Sequence, residues 1–337
     1  MVALEMRCLT LLLILFTSGC ETLHFYSQGA SGQLEILTKS KPNKEIIASA
    51  DSDESLRRKL ILAEEICTFA TRELALPGHS AYHRYADLKR DHVVFVLHAA
   101  PEFSLEPKTW NYLFVGELDY RGYFSETDAE AYADKLRSKE NLEVHLGGTD
   151  AYSTLGVFHD PLLNTFIDYP EIDFAETIFH ELTHRRIFVD DDTTFNESLA
   201  NTVAEEGIRR WLKSRNRHDA LADYEQRLIR RREFYDQIDI TRAQLTKLYA
   251  SDLPPVAMRK QKQHILGKLK TRARDLQKRW GGKPLEDWLK QDLTNAHLLA
   301  LVTYNRDISK FKKLLEDSNG DFETFFRKVE NLPENRS

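Results

Sequence analysis

No stretch of this chain restricts its fold more than residues 173–188, which read DFAETIFHELTHRRIF. Phe174, Ile178, Leu182 and Phe188 recur at helical spacing, and Asp173 followed three residues later by Glu176 resembles a capping box, so a helix is expected to start there. Positions four apart share one face of a helix, which turns the imidazoles of His180 and His184 toward a common point. Apolar neighbours on both sides predict that the helix is buried, where two adjacent imidazoles are costly without a shared partner. In a His-Glu-x-x-His pattern that partner is a metal ion. Glu181 is offset by about 100° around the helix. Its carboxylate therefore stands beside the ion, as a general base activating a zinc-bound water.

A third ligand follows nearby. The acidic triplet Asp190 to Asp192 leads to Thr194, which with Glu197 three residues on marks the start of a second helix. A short loop predicts an antiparallel pair, with His184 in the last turn of one helix beside Glu197 in the first turn of the other. Two His, one carboxylate and one open position form the catalytic arrangement of a single Zn2+ ion. The plainer alternative is a Glu197 that only caps its helix and a His pair packed in a core. Within the metal reading, Asp190, Asp191 or Asp192 is placed to orient a ligand His without touching the ion. Asp192 and Asn196 are assigned that orienting role; calcium binding by the acidic triplet is a further alternative.

The rest of the chain reads as an α+β body, predominantly helical with a small mixed sheet. Leu56, Leu60, Ile66, Phe69 and Leu74 give a helix over 54–75 that ends at Pro77-Gly78. Strands are expected at 92–98, 112–115 and 142–146, with a helix over 127–139. Beyond Asp173 the pattern is almost wholly helical. Residues 209–283 carry 21 Lys and Arg against 8 Asp and Glu, interrupted by Leu253-Pro254-Pro255, and predict a basic helical hairpin. Its charge serves either solvation or contact with anionic lipid head groups. The whole chain has a net charge of −6, which argues against a nucleic-acid partner. Three Cys exclude a disulfide scaffold, and Cys67, among Ile66, Phe69 and Ala70, reads as a buried small hydrophobe. His92, His98 and His159 have no partner at ligand spacing and read as structural or exposed.

The N-terminus is a separate unit. Arg7 precedes an apolar run from Leu9 to Phe16, far shorter than the roughly 20 residues needed to cross a bilayer, so residues 1–19 read as a secretory signal. Thr17-Ser18-Gly19-Cys20 resembles the lipobox of bacterial lipoproteins, which makes Cys20 the lipid-bearing first residue of the mature chain. Residues 20–53 are then a polar lipid-anchored segment and linker, and 54–332 the folded domain that carries the metal motif. Glu21 after the Cys resembles the pattern sorted to the outer membrane. The expected location is the bacterial cell envelope, on the periplasmic face.

Phe179 to His184 followed by Asp192 to Ala200 resembles the predicted zinc aminopeptidase lipoprotein family of Gram-negative bacteria. The blocks Leu76-Pro77, His83 to Leu88, Pro101 to Pro107, Tyr120 to Phe124 and Ala151 to Gly156 with Asp160-Pro161 agree in order. The resemblance implies a zincin-like, gluzincin-type peptidase with a peptide substrate, in which His180, His184 and Glu197 bind zinc and Glu181 is the base. The chain departs from that family between Trp110 and Leu118, where a paired Cys is lacking. A peptidase also needs an oxyanion donor and a strand edge for substrate. Ala151 to Leu155 is the expected edge strand, with Tyr152 contacting substrate. A further family-like block holds Asn295, expected to bind substrate, and Tyr304, either the oxyanion donor or a core tyrosine. An endopeptidase with the same site, or an envelope lipoprotein with a structural zinc and a binding role, are the alternative functions.

Overall fold

The structure is a computed structural model that describes residues 2–112, 116–154, 158–190, 192–282, 285–302 and 308–332, with the backbone alone for 2–20 and 302. Cys20 is therefore placed only by its backbone, and Tyr304 lies outside the described residues.

The chain opens with a long helix, α1 (Val2–Lys39), then β1 (Lys41–Pro42), α2 (Asn43–Ala48) and α3 (Glu54–Glu73). The mixed segment follows with β2 (Arg84–Ala86), β3 (Val94–Pro101), β4 (Trp110–Tyr112), β5 (Gly116–Leu118), β6 (Arg121–Tyr123), α4 (Glu126–Lys139), β7 (Leu142–Thr149) and β8 (Leu162–Leu163). All later elements are helical: α5 (Asn164–Ile167), α6 (Glu171–Arg186), α7 (Thr193–Ser214), α8 (His218–Tyr249), α9 (Pro255–Arg279), α10 (Glu286–Lys290), α11 (Asn295–Val302), α12 (Ile308–Glu316) and α13 (Phe322–Glu330). The α+β expectation with predominant helix holds. In place of one mixed sheet, however, there are three small ones: mixed β1-β2-β8, antiparallel β6-β3-β7, and the β4-β5 hairpin.

The central sheet explains how the site is roofed. Alternate residues of a strand face opposite sides. On β3, Leu97 and Ala99 pack with Trp110, Tyr123 and the α4 residues Ala129, Ala133 and Leu136. Val94, Val96 and His98 face the other way, into a cavity over the helices. The main core lies beneath that cavity, where Ile66 of α3 and Leu74 just after its end, Phe174, Ile178 and Phe179 of α6, and Leu199, Val203 and Ile208 of α7 are fully buried. The α6 and α7 helices run antiparallel: Trp211 Nε1, near the end of α7, donates to Glu171 at the start of α6 (3.2 Å). Gly207 permits their close approach, since a Cβ there would fall 2.7 Å from the Phe179 ring.

Both expected capping signals act differently from the prediction. The α6 helix starts two residues before Asp173, with Pro170 at its N-cap and no side-chain cap. Asp173 and Glu176 instead bind Arg227 of α8, and Glu176 also accepts from the Tyr224 hydroxyl (3.0 Å). The cap of α7 is Asp192, whose carboxylate accepts the Phe195 N–H (2.9 Å), so Glu197 is left free of capping. Charge pairing across helices has overridden the local signal in α6.

The polar stretch expected as a tether is ordered against the body from Glu21 onward. Ile36 of α1 is buried in the main core, Phe25 packs edge-on to Tyr123 (5.4 Å), and Gln28 accepts the Phe124 N–H (2.9 Å). Scattered apolar residues on one helix face were sufficient to dock a segment whose composition read as linker. The basic hairpin is present as α8 packed on α9, with Phe234, Ile238, Leu245, Leu266, Leu269 and Leu276 between them. Residues 209–214 of its expected range belong to α7. Among the described residues, no helix is long and apolar enough to cross a membrane.

Candidate metal centre

Two helical turns of α6 and one of α7 create the site. His180 and His184, one turn apart, bring their Nε2 atoms to 3.1 Å from each other. Glu197, in the first turns of α7, reaches both: Oε2 lies 3.2 Å from His180 Nε2 and Oε1 lies 3.4 Å from His184 Nε2. Ligand bonds of about 2.0 Å in a tetrahedral site place donor atoms about 3.3 Å apart. The three observed separations match that edge, so His180, His184 and Glu197 have the spacing and the chemistry to hold one metal ion.

The electrostatics ask for positive charge at this point. Burial opposes a charged His180, but the hydrogen bond and charge of Glu197 outweigh it and raise the imidazole to about 9. The Glu197 carboxyl is desolvated, yet the two imidazoles hold it well below the usual carboxylate range. Glu181 is pushed the other way: burial raises it, with the neighbouring imidazoles opposing and Glu197 and Asp160 adding to the rise. The cluster thus contains one carboxylate that stays ionised and one poised to exchange a proton.

All of these groups line a cavity of about 560 Å³. Its helical floor carries Asp173, Glu176, Thr177, Glu197 and Asn201; its sheet side carries Val94, Val96, His98, Tyr120 and Gly122. Asn201, one turn beyond Glu197 on α7, sets its side-chain oxygen 3.2 Å from His180 Nδ1, the position from which a side chain can orient that imidazole. Its i+4 spacing from Glu197 is a signal the sequence carried. The two residues assigned that role act elsewhere. Asp192 caps α7, and Asn196 clamps the inter-helix loop by accepting the Val189 N–H (2.9 Å) and donating to its carbonyl (2.7 Å). Both bond backbone groups of the loop and the first turn of α7.

Tyr152 lines the cavity as expected, its ring edge-on to Phe124 (5.4 Å). Residues 151–154 are not a strand, however. Thr154 gives its hydroxyl (2.6 Å) and N–H (3.2 Å) to Asp160, which is itself buried and paired to Arg185 of α6 (3.0 Å). That pair ties the loop to the residue following His184 and prevents it from extending. Asn295 does not line that cavity: it is fully buried, donates to the carbonyls of Pro101 (3.0 Å), Glu102 (3.0 Å) and Ser104 (2.8 Å), and accepts from the Tyr249 hydroxyl (2.8 Å). All its capacity holds α11 to β3 and α8.

Two sheet residues join the site unannounced. Tyr120 packs on His98 (5.9 Å between rings); burial raises its hydroxyl's pKa, and Glu197, Asp119 and Glu181 raise it further, so it stays protonated. His98 is buried, with burial first and His145 second lowering it to about 4, which leaves it neutral near pH 7. Its Nδ1 has no hydrogen-bond partner.

The chain matches the family model described as "Putative aminopeptidase" over residues 24–337. No curated protein and no solved structure matches it.

Proposed function

The chain belongs to that aminopeptidase family, and we propose that it is a zinc-dependent peptidase, acting on the free N-terminal end of peptides through a zincin-like active site. One observation carries this reading: three donor atoms separated by 3.1, 3.2 and 3.4 Å, with Glu181 beside them in one substrate-sized cavity. His180, His184 and Glu197 would hold the ion, which when bound supplies Lewis-acid polarisation of the scissile carbonyl. Glu181 takes the proton of the attacking water and passes it to the leaving amine, a task suited to a carboxyl raised by burial. Asn201 keeps the His180 ring in register. Tyr120, a protonated hydroxyl lining the same cavity, is the oxyanion donor of this reading.

Two arms on the full-length protein test the proposal. Glu181→Gln is expected to keep one zinc per chain while losing about 10³-fold in kcat; unchanged turnover removes Glu181 from the chemistry. A peptide with a free N-terminus is expected to be cleaved and its N-acetylated form spared. Equal cleavage of both makes the enzyme an endopeptidase.

A further inference from the structure

The cavity's two sides differ in kind. On the helical side two acids are paired with arginines: Glu176 binds Arg227 (2.8 Å) and Arg231 (3.3 Å), and Asp173 binds Arg227. On the sheet side, beyond His98 and Tyr120, the lining is Val94, Val96 and Gly122, with Tyr152 adjoining; the polar neighbours Thr149 and Asp150 on the same side are engaged, Thr149 donating its hydroxyl to the Ala151 carbonyl (3.1 Å) and Asp150 bonded to His92 and the Tyr169 hydroxyl. Val96 and Gly122 are paired across β3 and β6. Gly122 lies two residues after Tyr120, which immediately precedes β6, and Val96 lies two residues along β3 from His98, a step of about 7 Å. That is also the distance between alternate side chains of an extended peptide.

Gly122 is what opens this area. A Cβ at that position would lie 3.1 Å from Val94 Cγ1, so even Ala would press on the valine and a branched side chain would fill the space. The recess has aliphatic and aromatic walls, and of Val94, Val96, Gly122 and Tyr152 only Tyr152 carries a side-chain hydrogen-bonding group, its hydroxyl. A charged or amide side chain placed there would give up most of its hydration for at most that one partner. Phe188, whose ring lies 6.2 Å from His184, adds an apolar surface on the same cavity next to a metal ligand.

We propose that the recess formed by Val94, Val96, Gly122 and Tyr152 is a specificity site that seats one bulky aliphatic or aromatic side chain of the peptide substrate. This rests on the peptidase reading above and names the substrate class of that site. Burying a Leu side chain instead of Ala is worth enough to give tenfold or greater discrimination.

The test uses two peptide sets, X-Ala-Ala-Ala and Ala-X-Ala-Ala with X as Leu, Phe, Ala or Asp, titrated calorimetrically into zinc-loaded full-length Glu181→Gln protein. At one of the two positions, Leu and Phe are expected to bind at least tenfold more tightly than Ala, with Asp weakest. Adding Gly122→Val should abolish that preference while Ala peptides change little, and the milder Val96→Thr should reduce it several-fold. Equal affinity for all X at both positions, or equal weakening of every peptide by Gly122→Val, overturns the recess. Turnover of the same peptides by the wild type separates the two claims. Selective binding without cleavage leaves the recess standing and removes the peptidase reading; cleavage without selectivity removes the recess alone.

Discussion

At the scale of single residues, the grouping of His180, His184 and Glu197, which could hold a metal ion, could be read in advance because it is local. His180 and His184 share a helix face, and a loop of six residues fixes where Glu197 can lie. Asn201 obeys the same arithmetic, one turn past Glu197. Tyr120 and His98 do not, since they reach the site through strand pairing and a face choice that no short window reveals. Tyr120 was visible only as part of a family-like block, with nothing to assign its hydroxyl a task. That task is testable: Tyr120→Phe should lower kcat by about 10²-fold with little change in KM, because the hydroxyl acts on charge that appears in the transition state. An unchanged kcat in steady-state assays would leave the oxyanion to another donor.

At the scale of elements, the joint between sheet and hairpin is made by buried polar groups. Lys262 of α9 is 4% exposed; it donates to the Glu102 carbonyl (2.7 Å) and pairs with Glu143 of β7. Glu143 also accepts the Asn295 N–H (2.8 Å). Burial lowers the Lys262 pKa, with Glu143 opposing that shift, so the ammonium depends on its carboxylate. This joint explains why Asn295 misled a reading of residue types. An Asn interrupting an apolar helix looks like a substrate contact, but the same capacity satisfies carbonyls of a passing loop. Asn295→Ala would strand those carbonyls, so a stability loss of about 3 kcal/mol is expected in urea unfolding, with KM for peptides unchanged in the folded fraction. A raised KM at unaltered stability would return Asn295 to the substrate site. Helices such as α3, α4, α6 and α7 were legible because their periodicity is strong, while α1 and α2 were hidden in a polar stretch that read as linker, and the caps of α6 and α7 were misassigned where acids pair with α8 or where two candidates adjoin.

At the scale of the molecule, the charge asymmetry between the hairpin and the remainder works largely as internal docking. Arg227 and Arg231 of α8 meet acids of α6 and α7, and Arg259 and Lys262 of α9 meet Glu102 and Glu143. The result covers the metal helices on one side while the antiparallel sheet roofs them on the other, leaving one cavity between. Composition alone gave the surplus but not its partners, because those lie far away in sequence. The central claim is that two helices converge on one ion with a coordination position open toward Glu181. X-ray absorption at the zinc edge of the purified protein tests it most directly. The account predicts one zinc per chain with two imidazole nitrogens and carboxylate oxygen at about 2.0–2.1 Å plus one further light atom, and loss of that signal in Glu197→Ala. A metal-free protein, or an identical spectrum in Glu197→Ala, would contradict it.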